Sequence, residues 1–159
     1  LILWNLLKCG IVFHKKEQDM YPEELVAPMR QELVEIGFNE LKTPQEVDDV
    51  FENANEEETT LLVINSVCGC AAGAARPGIR WAVQNSDKKP SKLTTVFAGV
   101  DSDAVAQARS YTLPYPPSSP SMALFKGNKL VHFIERHQIE GNVAEAIGQH
   151  LKKIFEHYC

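Results

Sequence analysis

Apolar positions along this chain switch between two periods. From Pro22 the spacing is helical: Leu25, Val26, Met29, Leu33 and Ile36 share one face. Pro22 suits the first turn, Pro28 marks an irregularity, and Gly37 is a C-terminal stop. Phe38 to Leu41 is short and predicts an edge strand. Thr43-Pro44-Gln45-Glu46 then starts a second helix, with Thr43 as cap, Pro44 as first helical residue and Glu46 closing a capping box. Val47, Val50, Phe51 and Ala54 form its apolar face. Thr60-Leu61-Leu62-Val63-Ile64 is an unbroken, β-branched apolar run that predicts a buried strand over Thr59 to Asn65.

Beyond that strand a helix should run to about Asn85, with Ile79, Trp81, Ala82 and Val83 available for packing and Pro77 kinking or delaying it. Leu93 to Val100 predicts a second central strand, and Asp101-Ser102-Asp103 can cap a helix over Ala104 to Arg109. Leu113-Pro114-Tyr115-Pro116-Pro117-Ser118-Ser119-Pro120 predicts a rigid, extended loop. Ser121 to Phe125 and Lys129 to Ile134 form a hairpin about Gly127-Asn128. An amphipathic helix from about Asn142 to His157 closes the chain, with Val143, Ile147, Leu151, Ile154 and Phe155 inward.

Laid end to end from Phe38 the order is β-α-β-α-β-α-β-β-α, preceded by one helix. Alternating strands and helices imply an α/β fold: a central mixed sheet flanked by helices, its last hairpin antiparallel. In open sheets of this class the site lies beyond the C-terminal ends of the strands. At one such end stands Asn65-Ser66-Val67-Cys68-Gly69-Cys70-Ala71-Ala72-Gly73. Two thiols one residue apart therefore sit where a strand hands over to a helix. The free N–H groups of a first helical turn favour an anion there, which predicts a depressed thiol pKa and a reactive sulfur.

Composition narrows the alternatives. The 159 residues fit one domain with room for a core, and 44% hydrophobic with 23% charged is ordinary for a globular protein. A formal net charge of -5 and a pI near 5.5 argue against nucleic acid or an anionic membrane as partner. The four cysteines are Cys9, Cys68, Cys70 and Cys159, which is not the dense framework of a small secreted scaffold. A reducing compartment, the cytoplasm, is the expectation, with Cys9 and Cys159 incidental. Residues 1–19 read as an extension outside the fold, since Met20-Tyr21-Pro22 looks like a natural beginning and Lys8 interrupts the short apolar run Leu1 to Phe13. Residues 20–159 then form the domain.

Cys68, nearer the strand end, is the expected nucleophile, and Cys70 the candidate resolving thiol, with a free small thiol as the alternative resolver. A disulfide between them would close a tight ring of unusual geometry, more easily reduced than most, and Gly69 gives that ring backbone freedom. Two other readings compete. The pair could be buried structural thiols, or half of a metal site completed by His132 and His137, since zinc wants four ligands. Arg76 could favour the thiolate or be a solvated helix residue.

The element order matches the thioredoxin fold, with C-G-C where thioredoxins carry C-x-x-C. Ser119-Pro120-Ser121-Met122-Ala123-Leu124-Phe125-Lys126-Gly127-Asn128 resembles the thioredoxin segment that brings a cis proline beside the active cysteines. More closely, the chain resembles the bacilliredoxins, from about Met20 to near the C-terminus. The carrying residues are Met20-Tyr21-Pro22, the segment Asn65 to Gly73 with Ala75-Arg76-Pro77-Gly78, and Pro116-Pro117-Ser118-Ser119-Pro120-Ser121. The resemblance implies a thiol–disulfide oxidoreductase that removes bacillithiol from mixed disulfides on client proteins, with weak isomerase activity. It implies bacillithiol as a low-molecular-weight thiol co-substrate, and no metal or nucleotide. Cys68 and Cys70 would be catalytic, with Gly69, Ser119 and Pro120 contacting the client. The alternative function is a thioredoxin-fold metal-binding or non-catalytic binding module using the C-x-C.

Overall fold

A computed structural model describes residues 21–159; the expectations for residues 1–19 and for Cys9 lie outside the described residues. A five-stranded sheet organises the chain, in the order β1-β3-β2-β4-β5. The central strand β2 (Thr59–Asn65) is buried along its whole length. It pairs parallel with β3 (Lys92–Phe97), which pairs parallel with the two-residue edge strand β1 (Asn39–Glu40). On its other side β2 pairs antiparallel with β4 (Ser121–Lys126), and β4 continues into β5 (Lys129–Ile134) through the Gly127-Asn128 hairpin.

Alternation along β2 divides the interior. Leu61 and Val63 join a core with α1 (Glu23–Val34), α3 (Arg76–Asn85) and α6 (Ala144–Tyr158). Leu62 and Ile64 join a second core with α2 (Pro44–Glu52) and α4 (Ser102–Tyr111). The mixed sheet, flanked by helices and preceded by an extra N-terminal helix, is the expected architecture. Among the described residues no helix is long and apolar enough to cross a membrane.

Local chemistry explains most element ends. The Thr43 hydroxyl accepts from the Glu46 N–H while the Glu46 carboxylate accepts from the Thr43 N–H, the reciprocal cap the sequence announces. Two local expectations need correction. Asp101 does not cap α4 with its side chain. Its carboxylate instead takes two hydrogen bonds from the buried Arg30 guanidinium, at 2.8 and 3.1 Å. Arg30 also reaches Glu23 and Glu40, so α1, β1 and the start of α4 share one cation. Leu25, which the helical spacing put on the inner face, is 48% exposed. Second, a short helix α5 (Arg136–Ile139) intervenes between β5 and α6.

The last helix crosses α3 at close range through two glycines. A Cβ on Gly78 would lie 2.8 Å from the Ala144 carbonyl oxygen and 2.8 Å from the Ile147 Cβ. Opposite it, Trp81 lies over Gly148, where a Cβ would meet the indole at 2.7 Å. Trp81 is thus half-buried packing between the two helices. Gly78→Ala should lower unfolding free energy by about 1–3 kcal/mol through overpacking, measured by urea denaturation. A neutral result would mean that α6 is free to slide.

Candidate functional site

Past Ile64, whose register partner is Ser121, the two central strands diverge and release the site from both sides. From β2 come Asn65, Ser66, Val67 and Cys68; from the segment before β4 come Ser118, Ser119 and Pro120. The Asn65 carboxamide oxygen accepts from the Ser66 N–H at 2.8 Å and so turns the chain off the sheet. The Ser66 hydroxyl then accepts from the Cys68 N–H at 3.3 Å. A helical path begins at Gly69, widens into a π turn at Ala71–Ala75 and tightens into α3. Arg76 N–H donates to the Ala71 carbonyl across that turn. Pro77, which has no N–H to donate, follows at once and accounts for the delayed α-helix.

Cys68 and Cys70 are half-buried free thiols on the opening turn. Their environments differ. Burial works to raise the Cys68 pKa, but hydrogen bonds to its sulfur from Cys70, the Ala71 N–H and Ser66, with the charge of Arg136, outweigh it and leave the thiol below its ordinary value. Cys70 goes the other way. Burial raises it first, and the neighbouring Cys68 sulfur and the Glu140 carboxylate raise it further, against the pull of Arg136. The pair is therefore asymmetric: one sulfur stabilised as an anion, the other kept as its hydrogen-bond donor.

That asymmetry fixes a pH dependence. Alkylation by iodoacetamide follows the thiolate fraction. Lowered Cys68 should reach its plateau rate at a pH below that of an unfolded thiol, and raised Cys70 at a pH above it. Below the ordinary thiol pKa, Cys68 should carry nearly all the label, as read by peptide mass spectrometry. Equal labelling of the two would contradict the assignment.

Gly69 is exposed, and a Cβ there would meet nothing within 4 Å. Nothing in the dithiol form demands glycine at that position. Pro120 is buried, its bond to Ser119 is cis as the resemblance implied, and Ser119 is half-buried beside it. Leu113-Pro114 is also cis. Arg76 is not a solvated helix residue, and its hydrogen bonds go to groups other than the thiols. It is 3% exposed, its Nε donates to Glu32 at 2.9 Å, and its Nη1 donates to the Ser66 carbonyl at 2.9 Å and to Asn65 Oδ1 at 3.2 Å. It is a buried strut beneath the strand end.

His132 and His137 do not meet the cysteines. His132 Nε2 lies 3.2 Å from His150 Nε2 on α6, and His137 is exposed on α5. Among the described residues no group of three or more His, Cys, Asp or Glu is placed to hold a metal ion. A concavity of about 540 Å³ lies among Ala54, Glu57, Lys126 and Lys129, at the hairpin end of the sheet and away from the thiols.

Sequence reasoning missed Arg136. It is the first residue of α5, whose backbone N–H donates to Ser118 Oγ at 2.7 Å and whose Nη1 donates to the Ser119 carbonyl at 3.2 Å. Its own pKa is raised by the Glu140 hydrogen bond and by the two thiols. The one available signal was the spacing of Glu135 and Gln138, which form a capping box for α5.

Known proteins similar in sequence to this chain share one family description. Residues 21–159 match the family model described as disulphide isomerase. The chain is 57% identical over 137 residues to a bacilliredoxin of Cytophaga hutchinsonii, covering 86% of this chain and 98% of that one. It is 53% identical over 139 residues to a bacilliredoxin of Bacillus cereus, covering 87% and 95%. Another, from Halalkalibacterium halodurans, is 54% identical, covering 87% and 94%. Among solved structures, one described by its thioredoxin fold aligns with a TM-score of 0.52 at 14% identity, covering 72% of this chain and 91% of that one. Thioredoxin of Malassezia sympodialis aligns with a TM-score of 0.51 at 8% identity, covering 77% and 90%. At such identities these two show the fold alone.

Proposed function

Since the chain belongs to the bacilliredoxin family and is a thiol–disulfide oxidoreductase, we propose that Cys68 and Cys70 are its redox pair and that they remove bacillithiol from mixed disulfides on client proteins. The observation that carries the reading is the pair of half-buried free thiols on the opening helical turn at the end of β2, with the Cys68 N–H held by Ser66 and the cis Ser119-Pro120 bond just before the neighbouring strand.

The Cys68 thiolate attacks the bacillithiol sulfur of the capped client. The client–bacillithiol S–S bond breaks, the client cysteine leaves as a thiolate, and a Cys68–bacillithiol disulfide forms. No net oxidation occurs in this exchange. Cys70 then loses its proton to solvent and attacks Cys68 Sγ. Bacillithiol leaves as a thiolate, and the two cysteines are joined. A second molecule of small thiol attacking the Cys68-bound bacillithiol would close the cycle without Cys70.

Ser119 and Pro120 immediately precede β4, next to the end of β2 that leads to Cys68, and would present backbone to the client, with Gly69 exposed between the two thiols. The site uses no metal or nucleotide in this reading, with bacillithiol as a co-substrate and neither nucleic acid nor a membrane as partner. The cysteine pattern favours the cytoplasm, where thiols stay reduced. Weak isomerase activity follows from the same attack on a client's internal disulfide.

Multi-turnover release of free client thiol from a bacillithiol-capped protein, with excess bacillithiol as reductant, tests this function. Turnover that requires Cys68 is expected. A protein that reduces ordinary disulfides but leaves the capped client untouched would replace the reading with general exchange.

A further inference from the structure

Resting on that function, we propose that Arg136 forms a carboxylate-binding subsite for the small thiol that caps the client, so that an anionic cap is handed to Cys68 in preference to a neutral one.

The argument begins with how the guanidinium is held. The Arg136 backbone N–H is fixed on Ser118 Oγ and Nη1 on the Ser119 carbonyl, while Nε donates to Glu140 one helical turn on. One backbone contact and two side-chain contacts thus hold Arg136 against the residues preceding the cis proline, and Nη2 has no hydrogen bond to the described residues. The side chain is 45% exposed. Its charge acts on both sulfurs. The other arginine near the strand end, Arg76, is buried and committed to Glu32, Asn65 and Ser66. Arg136 therefore offers one positioned nitrogen, Nη2, on a half-exposed cation, a charged donor of the kind that takes a carboxylate oxygen.

Which carboxylate follows from the direction of the exchange. The client cysteine leaves, whereas the cap stays on Cys68. The charge that remains beside Arg136 after transfer is the cap's, so the interaction favours the transferred state as well as the approach. An acidic side chain on the client would also be attracted but would depart with it. Glu140 limits the subsite to one anion, because it already occupies Nε.

The test uses two pairs of probes in a Cys70→Ser background, with labelling quantified on the Cys68 peptide. Iodoacetate and iodoacetamide both alkylate the thiolate with loss of iodide, but only the first carries a charge. The iodoacetate-to-iodoacetamide rate ratio should fall by about threefold or more in Arg136→Gln, the size expected for one exposed charge pair at a few ångströms in water. Arg136→Lys should keep most of it. A merely structural or pKa-setting Arg136 would slow both reagents alike and leave the ratio unchanged, which overturns the proposal.

In the second pair, peptides are capped with mercaptosuccinate or with 2-mercaptoethanol, each cap on a neutral and on an acidic peptide. Faster transfer of the mercaptosuccinate cap on either peptide, lost in Arg136→Gln, is the expected result. A preference that follows the peptide's charge instead overturns the assignment to the cap. Bacillithiol enters none of these arms. A failure of bacillithiol removal with the ratio intact would therefore sink the proposed co-substrate and leave the subsite standing, and the reverse would sink the subsite alone.

Discussion

Cys68→Ser should abolish release of the client thiol, with a fall limited only by background exchange, while Cys70→Ser should still free the client once. The reason lies in the two local environments. A serine hydroxyl in place of Cys68 keeps the backbone contact of residue 68 with Ser66 but supplies no nucleophile near neutral pH. Loss of Cys70 removes one donor to the Cys68 sulfur yet leaves the Ala71 N–H, the Ser66 hydroxyl and the Arg136 charge in place. The Cys68 thiol should then titrate somewhat higher and still attack. A single-turnover assay of freed client thiol reads both variants. Substantial release by Cys68→Ser would assign the nucleophile wrongly.

Arg76→Met should cost about 3 kcal/mol of stability and slow Cys68 alkylation at a fixed pH below the thiol's ordinary value. Met fills much of the space but donates nothing. The Ser66 carbonyl loses a charged donor at 2.9 Å, and Asn65 Oδ1 keeps only the Ser66 N–H. Hydrogen bonds from a charged group contribute about 1.5–3 kcal/mol each. Glu32, whose side chain is 43% exposed, stays solvated when its partner goes, so the loss should stop short of that for a stranded buried charge. The effect on reactivity comes through Ser66. With its carbonyl released, its hydroxyl is less firmly placed under Cys68, and the thiol pKa should rise. Urea denaturation and an iodoacetamide pH profile measure the two effects. A loss below about 1 kcal/mol would mean that water replaces the guanidinium, and the strut would not be one.

Much of this was legible because it is encoded by neighbours in sequence. The run Thr60 to Ile64 can only be buried on both faces, Thr43 and Glu46 cap each other across one turn, and Gly127-Asn128 folds the hairpin locally. Cys68 and Cys70 were visible for the same reason, since strand, thiols and helix follow one another directly. What stayed hidden depends on distant segments. Arg76 looks like a surface residue until α1 brings Glu32 over it. Asp101 looks like a cap until Arg30, on α1, reaches it. Arg136 stands in a four-residue helix too short to show a period, and comes to the thiols only because β5 ends beside the segment before β4. His132 and His137 are close in sequence but belong to a strand and a helix, and the strand turns the first toward α6.

The central claim, that Cys68 takes the cap and Cys70 resolves it, is tested most directly by intact-mass and peptide mass spectrometry of Cys70→Ser after incubation with a bacillithiol-capped client. The account predicts one bacillithiol added, carried on the Cys68 peptide, with an equal amount of client freed. Freed client with no adduct on Cys68, or an adduct placed on another cysteine, would contradict it.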